Sequence, residues 1–514
     1  MDVLASGTLP AAWTRSWGAD RGARTLFFTA DGDSPRWVTA GELDDRSRTA
    51  ASKLAGLGLA EGSRVLWRSA RTLDSVVACI AVLRAGLVLV PVDPGVTDRE
   101  LRHVVAEVRP AVAIVDDENV ATTIANEAAS VAGGAGNEIV VCGMDLADLG
   151  PQVGDPVIDR SPPHAAALIG FTSGTTGAPK GAVLTHANML ANAEGLRLAW
   201  RWSPEDRLIH ALPLFHGHGL CAALFGTLLA EASAVVLPAF DAGSVLDESS
   251  RHGATLFFGV PTMYHRIASS GRAGELSKLR LSCSGSAALP ADLHRELERA
   301  SGASVLERYG MTETLLTVSN PYDGERRPGS IGFPLPTTEA MIEDPESSDT
   351  ASEGPGSGGP GSGGPGFGAE LLVKGPTVFA GYFDKPAQTA EKLSPDGWFR
   401  TGDIGVVEDG YVRLLGRSTE MVITGGHNVY PAEVEDVLLT YPGVAEVAVS
   451  GTPSDEWGEV VTAWIVSTSG KLDVDGLLAH AAKGLSSYKR PRIVRQVDSL
   501  PRNSMGKVMR RSLS

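Results

Sequence analysis

Between residues 46 and 115 the chain alternates two spacings of apolar side chains. Segments with an apolar residue every three or four positions predict helices, and short runs rich in Val, Ile and Leu predict buried strands. The predicted helices are 46–57, 72–84 and 97–108, and the predicted strands are 63–67, 87–92 and 112–115. Alternation of this kind favours a mostly parallel sheet covered by helices, which is an α/β fold.

The pattern continues with a buried strand at 165–171 and a strand and helix within 205–237, and it changes after Arg417. Beyond that point the chain predicts a compact mixture of helices at 432–439 and 474–485 with strands at 444–450, 460–466 and 493–497. We therefore predict a large N-terminal domain of helix-covered sheets, residues 1–416, and a small C-terminal α+β domain, residues 417–514.

Residues 344–368 read DPESSDTASEGPGSGGPGSGGPGFG. A segment this poor in apolar side chains cannot offset its ordering entropy, so we predict a flexible loop. A linker between domains is the alternative. Apolar, strand-like segments flank the loop at 339–342 and 370–373, and they favour a long hairpin turn within one sheet.

Composition and charge exclude several classes of protein. A chain of 514 residues exceeds the size of a single core, and 43% hydrophobic with 21% charged residues is typical of globular proteins. The net charge of −16 disfavours a nucleic-acid surface. The four cysteines lack CxxC spacing, no apolar run is long enough to span a bilayer, and the first residues do not resemble a secretory signal. We expect a cytoplasmic protein without nucleic-acid or membrane partners.

The strongest chemical signal is TSGTTGAPKG at 172–181, which follows a predicted strand. Backbone amides made accessible by glycine, hydroxyl groups and one ammonium group suit the oxygens of a triphosphate. The segment does not match the Walker A pattern, and a plain polar turn is the alternative. We predict a phosphate-binding loop formed by Thr172, Ser173, Gly174, Thr175, Thr176, Gly177 and Lys180.

Together with this loop, three later motifs resemble the acyl-adenylate-forming superfamily over nearly the whole chain. They are ERYGMTE at 307–313, GWFRTG followed by Asp403 at 397–403, and PRNSMGK at 501–507. This superfamily includes acyl-CoA synthetases, peptide-synthetase adenylation domains and firefly luciferase. The resemblance implies ATP and coenzyme A as co-substrates, Mg²⁺ as cofactor, and a small C-terminal domain that is mobile.

The resemblance also implies roles for individual residues. Tyr309 is expected to stack on adenine, Thr312 to contact the α-phosphate, Glu313 to hold magnesium, Asp403 to accept hydrogen bonds from the ribose hydroxyls, and Arg417 to approach ribose or phosphate. A carboxylate suits both a diol and a hard cation. The expected ATP-binding set is completed by Gly285, Ser286, Ala287, Glu307, Arg308, Gly310 and Met311.

Near the C-terminus, the resemblance implies that Lys507 bridges the acid and the α-phosphate, where it stabilises charge that grows during adenylation. Acetylation of Lys507 would remove that charge, so an acetyltransferase and a deacetylase are possible partners. Thr419 matches the hinge position of the family. Gly425, Gly426 and His427 match the segment that enters the site with coenzyme A.

The prediction of which acid is used depends on the segment GVPTMYHRI at 259–267. Combined with GSAALP at 285–290, this segment resembles malonyl-CoA synthetases, and the resemblance implies that Arg266 pairs with the distal carboxylate of malonate or methylmalonate, with Ser286 and His216 beside it. A buried carboxylate needs a fixed, bidentate cation, and guanidinium provides one. A solvated Arg266 on a helix surface is the alternative.

We therefore predict an ATP-dependent acid–thiol ligase that makes malonyl-CoA or methylmalonyl-CoA through an acyl-AMP intermediate. Lys507, Thr312, Glu313 and His216 are its predicted catalytic residues. The alternatives are a medium- or long-chain fatty acyl-CoA synthetase, an acyl-AMP ligase that loads a carrier protein, and a non-catalytic nucleotide-binding protein.

Overall fold

The structure is a computed structural model of the chain. It describes residues 8–16, 20–29, 35–131, 139–150, 158–172, 179–343, 369–425, 427–454, 456–468, 470–503 and 506–513. The predicted flexible loop at 344–368 lies outside the described residues, as do Ser173 to Gly177 of the predicted phosphate loop and Gly426. None of the helices in these ranges has the length and apolar character needed to cross a membrane.

Four sheets are present in the described residues, and the largest has nine strands. Its central strands are parallel, and antiparallel strands flank them at both edges. The order is β15-β14-β13-β12-β11-β9-β10-β1-β2. The strands are β1 (Arg24–Phe28), β2 (Arg36–Thr39), β9 (Arg207–His210), β10 (Ser233–Val236), β11 (Leu256–Gly259), β12 (Leu281–Ser284), β13 (Leu306–Met311), β14 (Leu315–Ser319) and β15 (Phe333–Pro334).

The second sheet has seven strands in the order β18-β8-β7-β4-β3-β5-β6. The strands from β7 to β6 along this order are parallel, and β8 and β18 join them antiparallel. The parallel part agrees with the βα alternation in the sequence. The strands are β3 (Arg64–Arg68), β4 (Val88–Val92), β5 (Val112–Ile114), β6 (Val140–Cys142), β7 (Ala166–Thr172), β8 (Lys180–Thr185) and β18 (Gly381–Tyr382).

A smaller antiparallel sheet contains β16 (Glu339–Glu343), β17 (Ala369–Lys374), β19 (Phe399–Glu408) and β20 (Tyr411–Arg417). Strands β16 and β17 are the ones that flank residues 344–368, and they pair directly from Glu339↔Lys374 to Glu343↔Glu370. This pairing is the one expected for a hairpin within a single sheet.

The C-terminal part forms a separate five-stranded sheet. It contains β21 (Val422–Thr424), β22 (His427–Val429), β23 (Val444–Ser454), β24 (Gly458–Ser467) and β25 (Ile493–Gln496). Its apolar cluster is distinct from those of the N-terminal sheets and includes Val434 and Leu477 from two helices. The observed architecture confirms the predicted fold class.

The helices are α1 (Leu9–Ser16), α2 (Ala40–Ala55), α3 (Leu73–Arg84), α4 (Asp98–Val108), α5 (Glu118–Val131), α6 (His186–Ala199), α7 (Gly226–Leu229), α8 (Ala242–His252), α9 (Pro261–Ser269), α10 (Ala291–Ser301), α11 (Pro386–Lys392), α12 (Pro431–Leu439) and α13 (Val474–Gly484). Threonine side chains cap several of them by accepting a backbone N–H three residues on. Helix α2 begins six residues before the predicted start at 46, because Thr39 caps it there.

One continuous apolar cluster includes strands of both large sheets and helix α3. Every residue of α3 except Asp74 is buried. The buried Arg84 guanidinium at its end pairs with Asp44 at 2.7 Å and with Asp159 at 3.0 Å, so its charge is compensated.

Candidate active site

The two ends of the predicted phosphate loop lie on neighbouring strands. Thr172 ends β7, Lys180 begins β8, and the two residues are register partners. Strand β8 lies between the loop and α6, which begins at His186, and Thr185 caps α6. The Lys180 ammonium lies 5.2 Å from the centre of the Tyr382 ring.

Helix α4 holds the base of this loop. The Pro179 carbonyl lies 2.9 Å from Nε2 of His103, and the Gly181 amide donates to Glu107 Oε1 at 3.3 Å. Lys385 pairs with the same Glu107 oxygen at 2.7 Å. These supporting residues lack a local motif, so the sequence offered no signal for them.

The ERYGMTE segment forms β13 and the turn into β14. A Cβ on Gly310 would lie 2.0 Å from the Leu315 carbonyl oxygen, so this tight hairpin requires glycine there. A Cβ on Gly170 of β7 would lie 2.6 Å from Thr312 Cγ2. Thr312 therefore packs directly on the strand that leads into the phosphate loop.

Glu313 is buried, and its carboxylate has a specific partner. The Tyr382 hydroxyl donates a hydrogen bond to Glu313 Oε1 at 2.9 Å, and burial raises the pKa of Glu313. Tyr382 thus contacts both the predicted metal carboxylate and the predicted phosphate lysine. Tyr382 has no signal in the sequence, because β18 is only two residues long and belongs to none of the motifs.

Asp403 is 5% exposed and carries two strong contacts. The Tyr309 hydroxyl donates to its Oδ2 at 2.5 Å, and Arg417 Nε lies 3.0 Å from its Oδ1. Asp403 and Arg417 are register partners on β19 and β20. Three residues that the sequence places far apart therefore form one buried cluster.

Lys507 lies next to this cluster. Burial, followed by repulsion from Arg417, lowers the pKa of Lys507, while Glu420 and Asp403 act in the opposite direction. A Cβ on Gly506 would lie 2.9 Å from Thr262 Oγ1 at the start of α9. The turn that carries Lys507 therefore packs against the N-terminal part of the molecule.

The residues that follow β12 differ in how deeply they are buried. A Cβ on Gly285 would lie 2.2 Å from the Arg308 Cζ, so glycine allows the buried Arg308 guanidinium to lie against the backbone here. Ser286 and Ala287 are exposed, and Ser286 has a φ of +71°, an uncommon value for a residue with a side chain. Glu307 accepts from the Leu289 amide at 2.9 Å, and burial raises the pKa of Glu307 to about 8.

The residues predicted to contact the acid have few partners. His216 lines a small cavity with Gly170, Thr312 and Leu315, and burial lowers the pKa of His216 to about 4. Arg266 is exposed on α9, and in the described part of the chain its guanidinium has neither an ion pair nor a hydrogen bond.

The predicted hinge and coenzyme A segments lie on the C-terminal side. Thr419 is in a short 3₁₀ helix, Ser418–Glu420, directly after β20. Gly425 has a φ of +55°, and a Cβ there would lie 2.8 Å from the Trp457 ring. The His427 ring stacks on Tyr488 with centres 4.5 Å apart. The roles of these residues stay predictions.

The residues present fit a magnesium ion that is held mainly by a nucleotide. Within the described ranges, no group of three or more His, Cys, Asp or Glu could enclose a metal ion. Glu313 offers one buried carboxylate, and Mg²⁺ is usually bound by one or two carboxylates together with substrate phosphates and water. Glu313 would hold the ion at the phosphate end of the site.

Known proteins match the chain over nearly its full length. The AMP-binding enzyme model matches residues 15–383, and the AMP-binding enzyme C-terminal domain model matches residues 433–507. The mitochondrial malonate–CoA ligase of Mus musculus is 35% identical and covers 92% of this chain and 85% of its own. A feruloyl-CoA synthase of an Amycolatopsis species is also 35% identical, with 96% and 97% covered.

The ATP-bound MatB from Rhodopseudomonas palustris is similar to this structure with a TM-score of 0.87 and 39% sequence identity, and the likeness covers 98% of each chain. The resemblance inferred from the motifs is confirmed by the family models and by this fold. The chain belongs to the AMP-binding enzyme family.

Proposed function

We propose that this AMP-forming acyl-CoA synthetase activates malonate or methylmalonate and transfers the acyl group to coenzyme A. The relatives act on different acids, since one is a malonate–CoA ligase and another a feruloyl-CoA synthase at the same 35% identity. Overall similarity therefore does not choose the acid. The observation that carries the proposal is the guanidinium of Arg266, which has no partner among the described residues.

Arg266 follows Thr262 by four residues on α9, so the two side chains leave the same face of the helix. Thr262 is the residue that packs against Gly506, next to Lys507. This placement supports Arg266 as the group that receives a second carboxylate, one helical turn from the reacting one. A fatty acid has no carboxylate at that end and gains nothing from a fixed cation.

Ser286 and His216 would complete the acid site. The positive φ of Ser286 costs free energy and supports a role for its exposed hydroxyl in binding. The depressed pKa keeps His216 neutral at pH 7, so it would offer a hydrogen bond rather than a charge. The charge of the distal carboxylate would then be balanced by Arg266.

In the first half-reaction, an oxygen of the reacting carboxylate attacks the α-phosphorus of ATP, and the bond to pyrophosphate breaks. Lys507 stabilises the negative charge that grows on the shared oxygens. Asp403 and Arg417 orient the ribose, Tyr309 supports adenine, and Lys180 and Thr312 contact phosphate oxygens. Magnesium, held by Glu313, neutralises phosphate charge when bound.

In the second half-reaction, the thiol of coenzyme A attacks the carbonyl carbon, a thioester bond forms, and AMP leaves with the electron pair of the broken carbon–oxygen bond. We predict that the C-terminal domain turns about Thr419 between the steps and that Gly425, Gly426 and His427 then line the pantetheine path. Acetylation of Lys507 would stop the first half-reaction. A cytoplasmic location of the protein stays a prediction.

The test is thioester formation, followed by mass spectrometry, with ATP and magnesium and with malonate, methylmalonate, acetate, octanoate, palmitate and ferulate offered separately. We expect the two dicarboxylates to be preferred in the wild type. Arg266→Ala should lower kcat/KM for them by about 100-fold, the effect of losing a charged hydrogen-bonding partner worth roughly 3 kcal/mol.

Arg272→Ala is the matched control, because Arg272 is a half-buried arginine just after α9 that already pairs with Glu275 and Asp247. Arg272→Ala should not change the order in which the enzyme prefers the acids. Preference for octanoate, palmitate or ferulate that is indifferent to Arg266→Ala would contradict the proposal. Adenylate formation without any thioester would indicate transfer to a carrier protein instead.

A further inference from the structure

The turn that carries Lys507 is well defined internally. The Asn503 backbone N–H donates to the Lys507 carbonyl, and the Asn503 side-chain oxygen accepts from the Lys507 amide, both at 2.9 Å. Arg502 and Val508 pair as an antiparallel bridge at its base. Arg502 also pairs with Glu446 of β23 at 2.8 Å, and Val508 packs with Leu500 and Trp464, so the base of the turn is anchored to the C-terminal sheet.

Arg510, three residues after Lys507, adds a second anchor, on the other side of the turn from Arg502 in sequence. Its Nη2 donates to both carboxylate oxygens of Glu435, at 2.8 and 2.7 Å, and its Nη1 donates to Glu420 at 3.2 Å. The side chains of Arg510 and Glu435 are only 20% and 13% exposed. A guanidinium that binds two different carboxylates through its two terminal nitrogens is fixed in direction as well as in distance.

The two glutamates belong to different segments. Glu435 lies on α12, and its Oε1 also accepts from the Val449 amide of β23 at 2.7 Å. Glu420 ends the short helix that begins directly after Arg417, the ion-pair partner of Asp403. Arg510 therefore connects the end of the chain to the C-terminal sheet and to the segment beside the nucleotide cluster.

Lys507 needs such a restraint because it lies beside another cation. Arg417 and, more weakly, Arg510 repel the Lys507 ammonium, and Glu420 and Asp403 attract it. A lysine on a loosely held turn would move away from Arg417 toward solvent, where its charge is better hydrated. A rigid base for the turn prevents that movement.

We propose that Arg510 is a positioning residue that holds Lys507 at the nucleotide site for adenylation, acting through Glu420 and Glu435 without contacting substrate. The inference rests on the proposed role of Lys507. It assigns to Arg510 an effect on the first half-reaction alone, since the second half-reaction does not use Lys507.

The test compares the two half-reactions in Arg510→Met. Acid-dependent ATP–pyrophosphate exchange should fall by about 100-fold, as expected when a reacting group is displaced by about 1 Å. Thioester formation from a synthetic acyl-adenylate and coenzyme A should keep its wild-type rate. Arg510→Lys should recover only part of the exchange, because one ammonium nitrogen cannot replace the two guanidinium nitrogens that bind Glu435 and Glu420 separately.

Arg511→Met is the matched control, because Arg511 is the next residue, is exposed, and has no ion pair in the described segments. It should leave both half-reactions unchanged. Glu435→Gln removes the charge of the partner while keeping its size, and it serves if Arg510→Met does not fold. It should reproduce the selective loss of exchange.

A second measurement needs no acid at all. Limited acetylation of the substrate-free protein with acetic anhydride, read by mass spectrometry, should label Lys507 several-fold faster in Arg510→Met, relative to the exposed Lys483. If the wild type prefers a monocarboxylic acid, the proposed specificity is wrong, but the comparison of Lys507 labelling between Arg510→Met and the wild type still tests the role of Arg510. Equal losses in both half-reactions, wild-type exchange, or unchanged labelling of Lys507 would each overturn the role of Arg510.

Discussion

The nucleotide side and the acid side of the site are built differently. On the nucleotide side, Asp403 and Glu313 are almost fully buried, and each has a partner within 3.0 Å. On the acid side, Arg266 and Ser286 are exposed, and the Arg266 guanidinium is unpaired among the residues that the structure describes.

This difference separates the binding of ATP, which every reaction uses, from the recognition of the individual acid. Buried polar groups that are paired in advance cost little further reorganisation when a ligand binds, which suits a ligand that every reaction uses. Unpaired groups find their partners only in the ligand, so they discriminate between acids. Substitutions on the nucleotide side should therefore affect all acids alike.

The largest effect is expected for Lys507→Ala. Loss of a charge that acts in the transition state should lower acid-dependent ATP–pyrophosphate exchange by about 1,000-fold for every acid accepted. Thioester formation from a supplied acyl-adenylate should be unchanged. Lys483→Ala, at an exposed lysine in the last turn of α13, should behave as wild type, and a loss in both half-reactions of Lys507→Ala would contradict the assigned role.

Asp403→Asn should have the next largest effect. It removes the negative partner of Arg417 and weakens the hydrogen bond from Tyr309, so the KM for ATP should rise by roughly 30- to 100-fold, or about 2 to 3 kcal/mol. Steady-state kinetics with two different acids should give the same factor. Asp409→Asn, at the exposed tip between β19 and β20, is the control. If the rise in the KM for ATP in Asp403→Asn differed between the two acids, the nucleotide side and the acid side would not be independent.

Much of this division could be read from the sequence, because the nucleotide residues lie in motifs whose spacing is local. TSGTTGAPKG ends on β7 and β8, and ERYGMTE forms β13 with the following turn, so strand ends bring the motifs together. The helices predicted at 72–84 and 97–108 from apolar spacing begin in the structure directly after Thr72 and Thr97, which cap them. The parallel arrangement followed from alternating periodicity.

The parts that were missed depend on contacts between distant residues. Tyr382 reaches Glu313 across 69 positions, and Arg510 reaches Glu435 across 75. Neither contact leaves a periodic or local pattern, because tertiary pairing alone decides which tyrosine or arginine meets a carboxylate. Strand β8 was missed for a related reason, since β18 and β7 hold it from both sides.

Tyr382→Phe should have a smaller effect than Asp403→Asn, and one that is confined to the nucleotide side. Removing the hydroxyl deletes one hydrogen bond to Glu313 and leaves the ring beneath Lys180, so the loss is about 1 kcal/mol, or roughly fivefold. We expect weaker binding of Mn²⁺–ATP, measured by electron paramagnetic resonance without acid. The KM for the acid should stay the same.

Tyr411→Phe is the matched control for this change, because its hydroxyl donates at 2.8 Å to the Glu325 carbonyl, outside the nucleotide cluster. It should bind Mn²⁺–ATP as the wild type does. A shift in the KM for the acid with unchanged metal–nucleotide binding in Tyr382→Phe would place Tyr382 on the acid side instead.

The smallest effect concerns the pH dependence of the acid side. Since burial lowers the pKa of His216 to about 4, the free enzyme carries a neutral imidazole throughout pH 6 to 8. The ratio of kcat/KM for the dicarboxylate between wild type and His216→Gln should therefore be constant over that range, because kcat/KM reports ionisations of the free enzyme. If an imidazolium bound the distal carboxylate, the ratio would instead fall with rising pH as the proton was lost, and Arg266 would then share the charge of the acid side with His216.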